Sequence, residues 1–376
     1  MQPMVTDTTR RTLLKAALLG MATPIAGMTR AVAGQDKRST ATPQLIGCAL
    51  RGRDQYQVVV ADSHGLPIRQ LPLPERGHGV AINPKRGHAV AFARRPGSYL
   101  MAFDYHNGQT IALKKANSNR HYYGHGVYSN DGSWLFATEG ERTTSRGIIG
   151  VYDVTEGYKK VDELTGFGIG PHEVIIMPDD TLVIGVGGVH TDGRTPLNLD
   201  SMRPSLTYIS RQGELLDQHM LADHKLSIRH LAHDGENTVL CGQQYRGDPG
   251  DYPSLLAMHT QGEEMVALHA EPEQWARFNH YIASIAASDK WILATSPRGN
   301  CYGIWSKQSG ELVELSPLPD ASGAVAKGDV FSVSSGSGSV ITLSQNDQLQ
   351  HYQSQIRDKK SVYTAIQWDN HWSAIS

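Results

Sequence analysis

Gly77-His78-Gly79-Val80 and Gly124-His125-Gly126-Val127 stand 47 residues apart, and Pro171-His172-Glu173-Val174 repeats them more loosely at the same interval. A short motif at fixed spacing marks an internal repeat, and a period of about forty to fifty residues belongs to WD40-like propeller blades. A turn follows each motif, then a second apolar strand, then a third that ends on a polar turn. The third strands read Leu100-Met101-Ala102-Phe103-Asp104, Ile148-Ile149-Gly150-Val151-Tyr152-Asp153 and Leu206-Thr207-Tyr208-Ile209. The unit continues at Ile228-Arg229-His230-Leu231-Ala232, His280-Tyr281-Ile282-Ala283, Gly323-Ala324-Val325-Ala326 and Thr364-Ala365-Ile366, which makes seven first strands.

Working outward, short apolar runs such as Val58-Val59-Val60, Ala89-Val90-Ala91-Phe92 and Leu182-Val183-Ile184 are bounded by turns such as Asn130-Asp131-Gly132 and Gln212-Gly213. That pattern predicts many short antiparallel strands. Only residues 271–278, with Pro272 near the start, predict a helical turn or two. The segment 44–74 supplies three strands and 361–375 the missing first strand of the same blade, so pairing the two ends closes the ring and removes a free edge. The predicted fold is all-β: a seven-bladed β-propeller closed by its N- and C-terminal strands. A pair of β-sandwiches explains neither the equal spacing nor the incomplete end blade.

The first 33 residues carry a different signal. Arg10-Arg11 precede a modest apolar stretch, Ala16 to Ala26, and Ala31-Val32-Ala33 forms a small-x-small cleavage site. In that order these features read as a signal peptide, and the arginine pair makes it a twin-arginine address. The expectation is a chain exported to the periplasm, with residues 1–33 removed, 34–376 forming one propeller domain, and no stable membrane anchor. The balance of 35 basic and 37 acidic residues leaves no basic stripe, so nucleic acid is not an expected partner. Cys48, Cys241 and Cys301 are far apart and form no C-x-x-C-H, which excludes c-type haem attachment.

In a propeller the first strands line the central channel, so His78, His125 and His172 converge on one axis. His230, on the fourth such strand, faces the channel one step deeper. Neutral imidazole is a common ligand for copper, iron, zinc and nickel. His280 opens the next unit, and the last two units offer only Ser322-Gly323 and Tyr363-Thr364. Glu173 follows His172 directly, so strand alternation turns it away. Arg203, Arg229 and Arg298 near the channel would favour an anionic ligand. Glu139 lies after a second strand, and Asn198 sits in an insert, 187–204, that lengthens the His172–His230 spacing to 58 residues. Each residue also has a purely structural reading: histidines at blade junctions bonding neighbouring backbone, arginines in ordinary surface pairs. Signatures of hydrolase, nucleotide-binding and zinc-protease sites are absent.

Gly124-His125-Gly126-Val127-Tyr128-Ser129, Gly168-Ile169-Gly170-Pro171-His172-Glu173, the run Leu197 to Leu206, Leu226-Ser227-Ile228-Arg229-His230-Leu231-Ala232 and Ser296-Pro297-Arg298-Gly299 resemble the signature segments of a family of twin-arginine-exported propellers of unassigned function. Its members are often encoded beside imelysin-type iron-uptake proteins and a di-haem cytochrome-like oxidoreductase. The resemblance implies association with iron or another redox metal, and partners of those two kinds. It departs at Thr138-Glu139-Gly140, where the family pattern has Asn after the Glu, which weakens Glu139 as a ligand. Three readings follow: a non-catalytic propeller that binds a transition metal, iron or copper, or a metal-bearing ligand; a propeller enzyme of lactonase or quinoprotein type; and a metal-free interaction scaffold.

Overall fold

The computed structural model describes residues 41–345 and 356–375. The predicted signal segment, 1–33, lies outside the described residues. The described part contains seven four-stranded antiparallel sheets, plus a two-stranded hairpin. Blades 1 to 7 have as inner strands Gly77–Asn83, Arg120–Tyr128, Pro171–Ile176, Leu226–His233, Ser284–Ala287, Ala321–Lys327 and Gln367–Ala374. Each inner strand touches its counterparts on both sides, and the seventh touches the first, so the ring is closed. In blade 7 the inner strand pairs with Leu45–Arg51, followed outward by Gln55–Ala61 and Pro67–Pro72. The closure by both ends is therefore as the sequence predicts.

Alternation of side chains explains why the runs form blades. Successive residues of a strand face opposite sides of the sheet. Val58 and Val60 pack toward blade 1 with Ala89, Ala91 and Phe103, whereas Val59 packs toward blade 6 with Val340. Val90 and Phe92 in turn face blade 2 and meet Tyr122 and Leu135. Seven apolar clusters result, one between each neighbouring pair of blades. Middle strands buried on both faces must be apolar throughout, as these are.

Two inner strands differ from their predicted position. His280 is not strand: Asn279 and His280 take left-handed backbone (φ 49° and 56°) after the helix Pro272–Ala276, and blade 5 begins only at Ser284. That helix, with Glu271 and Gln274 in a capping box, fulfils the helical expectation. At the other end, Ser361–Tyr363 complete the outer strand of blade 6, Ile356–Tyr363, and the closing strand starts at Gln367. The unit therefore does contain a histidine, His371, which corrects the expectation that it has none. The insert after blade 3's second strand forms the hairpin Thr191–Asp192 with Thr195–Pro196 and a short turn, Leu199–Ser201. Among the described residues no helix is long and apolar enough to cross a membrane.

Candidate metal centre

Five of the seven inner strands deliver a histidine to the hub: His78, His125, His172, His230 and His371. All are buried. The strands are not regular where these residues sit. Pairing shifts register between Gly77 and Val80, Tyr122 and Gly126, Pro171 and Glu173, and Ile228 and His230, and opposite Asp369–His371 in blade 7. A β-bulge inserts an unpaired residue and re-aims its side chain, so His78, His125, His172 and His371 are set by bulges toward the axis, while in blade 4 Arg229 is the unpaired residue and His230 pairs with Gly242 beside it. The glycines of the motif make the approach possible. A Cβ on Gly79 would lie 2.6 Å from Gly124 O and 2.9 Å from His125 Nδ1. Gly124 itself has φ +104° and passes under His78.

The rings pack against one another, edge to face for His78–His125 and His172–His230, with centroids 4.9 and 4.8 Å apart, and tilted for His125–His172 and His230–His371, at 4.9 and 4.6 Å. Two triads have ligand nitrogens all within 4.8 Å of one another: His78, His125 and His172; and His125, His230 and His371. His125 belongs to both. His78 Nε2 and His371 Nε2 are 3.2 Å apart. Two nitrogens bound at about 2.1 Å to one ion are separated by about 3.0–3.4 Å at ordinary ligand angles, so this spacing suits a shared ion.

Two carboxylates stand behind the rings. His78 Nδ1 lies 2.9 Å from Asp369 Oδ1, and Arg76 Nε donates to Asp369 Oδ2 at 2.6 Å. Glu173 places Oε1 3.4 Å from His125 Nδ1 and Oε2 3.3 Å from His230 Nδ1, and accepts from Leu231 N at 3.0 Å. The bulge at His172 thus turns Glu173 toward the hub, against simple alternation. Burial of these carboxylates acts to raise their pKa, yet the contacts with His78, and with His125 and His230, bring Asp369 and Glu173 below the usual carboxylate range. Burial lowers His78 to about 3, and also lowers His172, His230 and His371, so these imidazoles are neutral at pH 7. His125 Nε2 and His172 Nδ1 are buried without a hydrogen-bond partner, while His230 Nδ1 has only the 3.3 Å approach of Glu173 Oε2. An ion offers such nitrogens a partner; the apolar interior does not.

The other predicted site residues separate into two groups. Arg229 and Arg298 line a cavity of about 240 Å³ that meets the cluster at His78, His172 and His230. Glu139 lies within blade 2, accepting from Tyr152 Oη at 2.6 Å and Lys160 Nζ at 2.8 Å, a satisfied buried pair away from the hub. Asn198 ties the insert together, accepting from His190 N and donating to Gly188 O. Arg203 is exposed and does not line the cavity. His280 stacks on Tyr252, with Nε2 2.8 Å from Asp251 O. A separate grouping, Asp217, His219 and His259, has internal partners: His219 Nε2 lies 2.8 Å from Asp217, and His259 Nδ1 lies 2.6 Å from Tyr208 Oη. All three cysteines are buried and free.

Fold and site together define a seven-bladed propeller with a buried polyhistidine hub that has the makings of a metal centre. The chain belongs to the family described as protein of unknown function (DUF1513), whose model matches residues 71–375. No curated protein sequence matches it. Among solved structures it is similar to hydrazine synthase of Kuenenia stuttgartiensis, with a TM-score of 0.58 and 14% identity, covering 83% of this chain and 90% of the other. At that identity the likeness is one of fold alone.

Proposed function

We propose that the protein is a non-catalytic, exported propeller whose hub binds one transition-metal ion, iron or copper, through His78, His125, His172, His230 and His371. The observation that carries this reading is the convergence of five buried imidazoles, His125 and His172 each with a buried nitrogen that has no partner, in front of two orienting carboxylates. Histidines serving only to join blades would have both nitrogens occupied by backbone or side chains. An enzyme built on hard Ca²⁺ would present carboxylate oxygens to the ion, whereas Asp369 and Glu173 stand behind imidazoles. The imidazoles coordinate, and the two carboxylates offset part of the ion's charge. The ion could serve storage, transfer or redox exchange.

Periplasmic location and work in iron acquisition beside an imelysin-like or di-haem cytochrome-like partner complete the proposal. Their support is the sequence resemblance and Arg10-Arg11. Metal analysis of untagged protein tests the centre. About one ion per chain is expected in the wild type, with loss of most of it in His125→Ala and no change in His280→Ala. Equal metal in all three proteins, each shown to be folded by circular dichroism, contradicts the reading.

A further inference from the structure

The cavity over the histidines is walled by six arginines: Arg94, Arg95, Arg194, Arg229, Arg246 and Arg298. No Asp or Glu lines it. Among the described residues none of the six is in an ion pair, although Asp369, held by Arg76 and His78, acts on Arg94 from a distance. Arg229 is the sharpest case. It is 2% exposed, its Nε has no hydrogen-bond partner, and the strongest charges acting on it, Arg95 and Arg246, are of its own sign. Arg246 Nε is likewise buried and unpartnered, its guanidinium donating to Gln244 Oε1 at 3.2 Å. Arg298 is held over the ring of Tyr281 at 4.3 Å.

An unpaired buried guanidinium costs several kcal/mol, and like charges around it add to the cost. Evolution of a stable fold removes such a group unless something compensates it. Guanidinium forks match the paired oxygens of carboxylates and phosphates. We infer that this mouth seats a small anion of at least two negative charges, a di- or tricarboxylate or a phosphate-type oxyanion, with the arginines as its walls and His78, His172 and His230 as its floor. The cavity is smaller than the roughly 300–1,000 Å³ that take drug-sized ligands, which sets the occupant at the scale of a small anion and not of a macrocycle. Contact between that anion and a metal rests on the proposed function; the anion site itself rests on the arginines alone.

Titration calorimetry on the full chain, at pH 7 and fixed ionic strength, tests it with citrate, inorganic phosphate and acetate. One site per chain is expected, with citrate or phosphate at least tenfold tighter than acetate, and the tighter of the two identifies the source of the oxygens. The half-buried Arg246 and the exposed Arg298, changed together (Arg246→Gln and Arg298→Gln) and chosen over Arg229 because they do not sit in the core, should weaken that binding at least tenfold, since hydrogen bonds to charged groups are stronger than neutral ones. Binding no tighter than that of acetate, or unchanged binding in the double variant, overturns the inference. Metal-stripped protein and His125→Ala should still bind the anion. Metal binding lost with anion binding kept separates failure of the metal centre from failure of this site.

Discussion

Asp369 shows how one side chain can set a whole centre. It holds Nδ1 of His78 and is itself held by Arg76, so His78 is left with Nε2 facing His371. Partners of this kind fix ring orientation and raise ligand basicity, and their loss typically costs 10–100-fold in metal affinity. Asp369→Asn should therefore weaken metal binding by about 10–100-fold in chelator competition while leaving the fold intact; unaltered affinity would show that Asp369 does not orient a ligand. A second residue reports on burial away from the cluster. His121 is buried, and burial followed by repulsion from Arg142 and Arg95 lowers it to about 4 from 6.5. Between those pH values the unfolded chain binds more protons than the folded one, so stability falls as pH drops from 6.5 to 4. At about 1.4 kcal/mol per unit the loss is on the order of 3 kcal/mol. In urea unfolding, His121→Asn should flatten the pH dependence across that window, and a slope equal to that of the wild type would contradict the assignment.

At the scale of the element, the bulge explains both what could be read from the sequence and what could not. Middle strands such as Val58-Val59-Val60 announce themselves because burial on both faces demands unbroken apolar runs. The repeated Gly-His-Gly announces the inner strands for a reason of packing: the rings of His78 and His125 lie side by side over Gly79 and Gly124, where a Cβ would collide. Gly79→Ala places a methyl against Gly124 O and His125 Nδ1. It should cost about 1–3 kcal/mol and lower metal affinity together with it, measured by urea unfolding and metal titration on one preparation. Wild-type values in both would show that the close approach is not needed. Alternation, by contrast, misled the reading of Glu173, because an unpaired residue at His172 breaks the period of two. His371 was hidden for a related reason. Its strand carries Asp369-Asn370-His371-Trp372 and no glycine motif, and the outer strand of blade 6 runs on to Tyr363, which displaced the apparent start of blade 7. The alternation of Trp368 with Trp372 around a bulge is the signal that could have found it. Arg94, Arg95, Arg194 and Arg246 come from loops and strand ends in three blades, and nothing local in the sequence marks their convergence.

The whole molecule turns seven separate blades into one site. Closure by Gln367–Ala374 seals the ring and at the same stroke brings His371 and Asp369 to the hub, so the centre is complete only when the last strand docks. Apolar clusters between every pair of blades hold the rim, while the hub, where the strands converge, is given to polar groups whose partners come from other blades. This division explains how a chain with 47-residue repeats can place five imidazoles and six arginines within one small volume. The central claim is that the imidazoles share an ion, and anomalous diffraction tests it most directly. Crystals of untagged protein, measured on both sides of the iron and copper absorption edges, should show one strong peak among His78, His125, His172, His230 and His371, within about 2.0–2.3 Å of at least three of their nitrogens. An anomalous map with no peak at the hub, from crystals grown with equimolar metal, would contradict the account.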